Sequence, residues 1–372
     1  MLEQITCPAD LRRLSHDDLG LLSHEIRNFI VETVQENGGH LGSNLGVVEL
    51  TIALHRVFDS PRDIMLWDTG HQAYVHKMLT GRLENFKSLR KAGGLSGYPS
   101  RAESEHDWIE NSHASTALSY AFGIATAQAS DEGEGRRVIA VIGDGALTGG
   151  MAFEGLNNLG HAGSNAIIIL NDNGRSYAPT VSLLSDSLKK LRNNPKYLEQ
   201  QEKLENKVKS LLPSKEVMGL SVERAIDAAK AAVREIWDPT SFFEDLGLRY
   251  NGPFDGHNIE ALEKAFRNAA GFEGPTVIHV LTEKGRGYGP AENDPIKRLH
   301  DIGKPKPESY TAAFTEILIK EAENRSDLVA ITAAMPDSTG LLPFSERFPE
   351  RFFDVGIAEQ HATTAAAGMA MG

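Results

Sequence analysis

The chain alternates between short, wholly apolar runs and longer amphipathic stretches. VIAVI at 138–142 and AIIIL at 166–170 are its most hydrophobic runs. Their length and β-branched content predict buried parallel strands. IMLWD at 64–68 and TVIHVL at 276–281 read the same way. Between them lie stretches of helical period. Leu22, Ile26, Phe29, Ile30 and Val34 fall on one face of a helix that Ser15 and Asp18 open as a capping box and Gly38-Gly39 close. Further helices are predicted over 46–57, near 150–160 and near 258–270. Strands alternating with helices predict an α/β fold, with a mainly parallel sheet and helices on both faces.

Two regions break this pattern. Residues 186–215 carry eight Lys/Arg against four Asp/Glu, and they open a charged stretch that runs to about 240. A charge run of this kind reads as a solvated helical insertion. Residues 289–310 hold Pro290, Pro295, Pro305 and Pro307 with little apolar content, and read as a linker. Past the linker a second unit begins. It has a helix near 311–323, strands at 328–332 and 352–355, and a helix opening near Ala358. The 62 residues of 311–372 make at most a marginal core, and a sequence stopping at Gly372 inside a predicted helix reads as truncated.

Composition narrows the function. Apolar residues make up 41% of the 372, enough for a real core. A net charge of −13 argues against a nucleic-acid or anionic-membrane scaffold. It leaves phosphorylated ligands open, because local geometry holds those. The single cysteine, Cys7, can form neither an internal disulfide nor a cysteine-rich zinc site, which points to a reducing cytoplasm. The acidic N-terminus has no signal-peptide pattern, and no run approaches the roughly 20 apolar residues of a membrane helix.

The chemistry starts with GDGALTGG at 143–150. Glycines directly after a buried strand let a phosphate approach the backbone, and the following helix offers its first amides. Asp144 adds a carboxylate at the strand end, which a magnesium–diphosphate pair requires. Between Gly145 and Asn171, where NDN begins, lie 25 residues, room for one helix and one strand. Asp144 and Asn173 are therefore expected to end neighbouring parallel strands, where open α/β sheets bind ligands.

The GDG…NDN pair resembles the signature of thiamine-diphosphate enzymes. GGHLGSNLGVVEL at 38–50, WDTGHQAYVHKMLTGR at 67–82, GGLSGYP at 93–99, SRAESEHDW at 100–108, NSHAS at 111–115, GRGYGPAENDP at 285–295 and DVGIAEQH at 354–361 narrow it. Together they resemble the 1-deoxy-D-xylulose-5-phosphate synthase family of the transketolase superfamily, with details similar to actinobacterial members. The resemblance covers nearly the whole chain and fades across about 186–240.

It implies a thiamine-diphosphate-binding fold with a diphosphate/magnesium domain over 1–288, the linker, and an incomplete pyrimidine-binding domain over 311–372. The implied metal ligands are Asp144, Asn173 and the carbonyl of Arg175. Around the cofactor it places His71, Ser112, His113, Ala114, Gly145, Ala146, Asn173 and Tyr288. Glu359 matches the glutamate that shares a proton with the aminopyrimidine ring nitrogen. His40 and His71 are candidates for proton transfer or hydrogen bonding, and His300 is a further one.

The implied reaction decarboxylates pyruvate and joins the remaining two-carbon unit to D-glyceraldehyde 3-phosphate. It yields 1-deoxy-D-xylulose 5-phosphate, a precursor of isoprenoids, thiamine and pyridoxal. The resemblance also implies a cytoplasmic homodimer. Ser112 departs from the Gly usual before that His, and Arg175 from a Met. The family's aromatic cover for the aminopyrimidine and its phosphate-binding arginines would follow Gly372, so little turnover by this chain alone is expected. A transketolase-like or split 2-oxo-acid-decarboxylating subunit completed by a second chain stays open, as does a non-catalytic cofactor-binding fragment.

Overall fold

The computed structural model describes residues 1–130, 135–174, 216–217, 220–221, 241–295, 297–302 and 308–372. The basic stretch 186–215 lies outside these residues, and so does most of the charged stretch to 240. Strands β1 (Ile64–Asp68), β2 (Val138–Gly143), β3 (Ala166–Asp172), β4 (Arg249–Asp255) and β5 (Thr276–Leu281) form one sheet in the order β1-β2-β3-β5-β4. Every pairing in it is parallel.

Alternation along the strands divides the core into two layers. Met65, Trp67, Ile139, Val141, Ile167, Ile169, Ile278 and Val280 face one side, under the helices His16–Asn37, Val48–Val57 and Ile259–Ala270. Ile64, Leu66, Val138, Ala140, Ile142, Ile168 and Leu170 face the other, under Ala117–Ser130 and Gly150–His161. A sheet covered on both faces needs apolar residues at consecutive positions, which is why these strands read as continuous hydrophobic runs.

Local signals resolve as expected at the first helix. Ser15 accepts from the Asp18 N–H, Asp18 reaches back to Ser15, and Gly38 with φ +75° ends it. The predicted helix over 46–57 starts earlier and is interrupted. Gly42–Gly46 and Val48–Val57 are separate helices, broken at Val47.

Strand β4 has no clear sequence signal, because Gly252-Pro253 interrupts it. It tolerates proline since it lies at the sheet edge, with a register shift between Asn251 and Phe254.

The stretch read as a linker does more than connect. Residues 297–302 fold back over 38–43, where Gly39 pairs with Ile302. Leu41 donates to the His300 carbonyl at 3.1 Å and Gly42 to the Leu299 carbonyl at 2.8 Å. Beyond it, Ala330–Thr332 and Phe352–Asp354 form a separate two-stranded parallel sheet beside the helices Tyr310–Asn324 and Glu359–Met371. Its buried apolar cluster is Ala322, Ala330, Leu341 and Phe344.

Candidate active site

The site begins at the carboxyl ends of β2 and β3. Gly143 pairs with Asn171 across the ladder, so Asp144 and Asn173 leave neighbouring strands side by side, as their spacing predicts. The Asp144 Oδ1 accepts the Asn173 backbone N–H at 3.4 Å, and Asp144 is only 3% exposed.

The other two NDN side chains are turned inward. Asn171 donates to Gln72 Oε1 at 3.0 Å and accepts from Thr282 Oγ1 at 2.5 Å. Asp172 accepts from His279 Nε2 at 3.0 Å and from the Gly174 N–H at 3.1 Å. With the ring hydrogen held on Nε2 by the Asp172 carboxylate, His279 Nδ1 is left to accept from Tyr250 Oη at 2.7 Å. Two of the three NDN side chains thus brace the loop, and Asn173 is the one at partly exposed surface.

Hard oxygen donors from Asp144 and Asn173 suit magnesium, which binds carboxylate, amide and phosphate oxygens. Arg175, whose carbonyl is the third expected ligand, lies outside the described residues. Gly145 and Ala146 form the turn Asp144–Leu147, and Ser115 Oγ donates to the Ala146 carbonyl at 2.6 Å.

Asp68, which sequence reasoning missed, organises the 111–117 loop. It ends β1 fully buried and accepts from the Ser115 and Ala117 N–H groups, both at 2.9 Å. Those amides lead into the helix Ala117–Ser130, so Asp68 caps it from a different strand. Burial outweighs these hydrogen bonds and pushes its carboxyl up to about 6. The clamped loop carries Ser112, His113 and Ala114, with Ser112 and His113 exposed. A carboxylate at the end of IMLWD was the available signal, but its partners lie 47 and 49 residues away.

Three imidazoles meet beside this loop. The ring centres of His40 and His71 are 4.8 Å apart, those of His71 and His300 4.9 Å, and those of His40 and His300 5.4 Å. Gly42 permits the approach of the third: a Cβ there would lie 2.1 Å from the Arg298 carbonyl oxygen. Lys284 Nζ donates to His300 Nδ1 at 2.7 Å, leaving the ring hydrogen on Nε2. Burial, with Arg90 and Lys284 nearby, lowers His40 to about 4, while burial, Lys284 and the neighbouring imidazoles hold His300 well below its ordinary value. Burial, with His40 and Lys284, does the same for His71. All three are therefore neutral at pH 7. Asn44 braces the pair of loops by donating to the His40 and His71 carbonyls at 2.9 and 2.8 Å. His40 Nδ1 and both polar side-chain atoms of Asn111 are buried without a hydrogen-bond partner, a costly state that a bound polar ligand would relieve.

Glu359 opens the helix Glu359–Met371 and comes within 3.6 Å of His113 Nε2. It is about half exposed, and His113 more so. Tyr288 sits apart from this pair, accepting from Gln35 Nε2 at 2.5 Å. The structure therefore brings together the Asp144–Asn173 pair, the three imidazoles, and Glu359 with His113. Lys284 joins them unannounced, since nothing in EKGRGY marks its lysine as facing a histidine 16 residues on.

The family model described as 1-deoxy-D-xylulose-5-phosphate synthase matches residues 2–282, and the transketolase pyrimidine binding domain matches 306–372. Proteins called 1-deoxy-D-xylulose-5-phosphate synthase from Mycobacterium avium (strain 104) and Mycobacterium leprae (strain Br4923) are each 54% identical over the whole of this chain. The chain spans 59% of the length of these curated relatives. Among solved structures, transketolase from Campylobacter jejuni superposes with a TM-score of 0.53 at 16% identity, over 92% of this chain and 62% of that one. Transketolase from Leishmania mexicana gives 0.52 at 16% identity, over 91% and 60%. These two show a shared fold.

Proposed function

The chain belongs to the 1-deoxy-D-xylulose-5-phosphate synthase family, and we propose that it carries the cofactor-anchoring part of that enzyme's site. The reaction is decarboxylation of pyruvate and condensation with D-glyceraldehyde 3-phosphate, giving 1-deoxy-D-xylulose 5-phosphate and carbon dioxide. Thiamine diphosphate, when bound, supplies the carbon nucleophile that attacks a 2-oxo acid and stabilises the charge left by decarboxylation.

This chain's residues supply position and proton control. Asp144 and Asn173, with the Arg175 carbonyl, hold magnesium and through it the diphosphate. Gly145, Ala146, Ser112, His113 and Ala114 border that anchor. Glu359 holds a proton at the aminopyrimidine ring nitrogen. His300, whose Nδ1 is taken by Lys284, acts as an N–H donor and not as a base. His40 and His71 stay neutral and can accept or donate one hydrogen each. The same reading divides the chain into a diphosphate-binding domain over 1–288 and a pyrimidine-binding domain over 311–372, and takes the working form as a cytoplasmic homodimer. The two family matches, at 2–282 and 306–372, support that division.

One observation carries the reading: Asp144 and Asn173 emerge together from adjacent parallel strands, with the carboxylate on the Asn173 amide. Calorimetric titration of the purified chain with thiamine diphosphate tests it. Binding is expected with magnesium and is lost when the metal is chelated. Equal binding in both conditions contradicts the assignment.

A further inference from the structure

A buried polar chain connects the back of the site to helices that touch no reacting group. It starts at Arg27, whose guanidinium forks onto Glu49 with two bonds of 2.6 Å and also donates to the Leu45 carbonyl at 3.2 Å. Glu49 Oε2 lies 3.0 Å from His257 Nδ1. On the far side of the ring, His257 Nε2 accepts the Glu283 backbone N–H at 3.0 Å. These side chains are shielded, with Arg27 and His257 6% exposed and Glu49 10%.

The two contacts fix the state of the ring. A nitrogen that accepts a backbone N–H carries no hydrogen, and a nitrogen facing a carboxylate must donate. In this arrangement the His257 ring hydrogen sits on Nδ1 and Nε2 is the acceptor. Among side chains, imidazole suits this place because it donates from one edge and accepts at the other across a rigid ring.

Glu283 begins the turn that carries Lys284. Contacts from outside the turn hold it at several points: His257 on the Glu283 N–H, the Gly42 carbonyl on the Gly285 N–H at 2.8 Å, Glu292 Oε1 on the Gly287 N–H at 2.7 Å, and the Arg27 side chain against Gly287. Lys284 then meets His300 Nδ1. We propose that His257 is a positioning residue for the site: by accepting the Glu283 N–H it sets the turn so that Lys284 holds His300 in one tautomer, with its hydrogen on Nε2. The proposal rests on the reading above, in which His300 donates into the site.

The acceptor edge carries the coupling, so two substitutions separate it from general packing. His257→Gln keeps an acceptor at the reach of Nε2. His257→Asn keeps only a donor at the reach of Nδ1. Histidine side-chain nitrogen–proton correlation spectra of the full chain, without cofactor, read the tautomers directly. In the wild type His257 should carry its hydrogen on Nδ1 and His300 on Nε2. His257→Asn should cost His300 its single-tautomer signature, and His257→Gln should restore it.

An unchanged His300 in His257→Asn overturns the proposal, as does equal loss in both variants. If His257→Asn does not fold, the wild-type spectrum decides: a His257 hydrogen on Nε2 overturns the proposal, and one on Nδ1 supports it. The measurement needs no cofactor. A chain with these tautomers that binds no thiamine diphosphate would refute the functional reading and leave the role of His257 in the turn intact.

Discussion

The two ends of the site are built differently. Asp144, Asn173 and the Asp68-clamped loop stand on a five-stranded sheet packed on both faces, with the residues of every strand but the edge strand β4 almost wholly out of contact with water. Glu359 stands on a helix without a buried residue, beside a two-stranded sheet and a four-residue apolar cluster. The difference separates two demands. On the proposed reading, holding a diphosphate needs fixed oxygens and amides, and the carboxyl ends of the central strands β2 and β3 provide them. Handling one proton at the ring needs a single carboxylate, which a lightly packed helix can present only as well as its surroundings hold it. Since misplacement of about 1 Å can cost on the order of 100-fold in rate, the second end is the sensitive one.

Acid should break the first region hardest. An unfolded imidazole titrates near 6.5, while His40 is held near 4 and His71 and His300 also lie well below 6.5. Below pH 6.5 the unfolded chain therefore takes up protons that the folded chain refuses, and stability falls as pH falls. At roughly 1.4 kcal/mol per group and pH unit, the three together cost about 4 kcal/mol by about pH 5.5. Asp68, raised to about 6, works in the opposite sense, because the folded carboxyl takes up its proton first. It offsets under about 1 kcal/mol over that interval. From 308 to 372 no described ionisable side chain is buried, so this penalty belongs to the sheet region. Denaturant titrations at the two pH values, followed by Trp67 and Trp108 fluorescence, check it. A midpoint that does not move would refute the neutral buried cluster.

The next effect sharpens the comparison by packing. Ile168→Ala in β3 should cost about 3 kcal/mol in the same titrations, because a filled two-sided core cannot collapse around the cavity. Asp68→Ala comes next, at about 2 kcal/mol, since it leaves the Ser115 and Ala117 amides without their acceptor. Leu341→Ala should be mildest, about 1 kcal/mol, with a change confined to proteolytic nicking beyond residue 308, because its cluster is small. Equal costs for Ile168→Ala and Leu341→Ala would erase the distinction between the two regions.

Much of the first region is legible in the sequence because its signals are local. Wholly apolar strands announce a covered sheet, and GDG and NDN stand directly at the strand ends where a ligand is met. The capping box at Ser15 is legible for the same reason. What stays hidden depends on distant pairing. Asp68 caps a helix nearly 50 residues on. His300 reaches His40 only because 297–302 folds back onto the 38–43 loop, and the prolines around it disguise a packed strap as a linker. Strand β4 hides behind its glycine and proline, which only an edge position tolerates. His257 looks like an ordinary turn residue until Glu49 and the Glu283 amide are seen on its two edges.

The central claim is that the diphosphate anchor belongs to the sheet and does not depend on Glu359. Titrating thiamine diphosphate in the presence of magnesium into Asp144→Ala and Glu359→Ala tests it most directly. Asp144→Ala should weaken binding by on the order of 100-fold or more, because the magnesium loses its charged protein ligand. Glu359→Ala should change it by less than about tenfold, the equivalent of about 1.4 kcal/mol. Near-normal affinity in Asp144→Ala, or a larger loss in Glu359→Ala, would contradict the account.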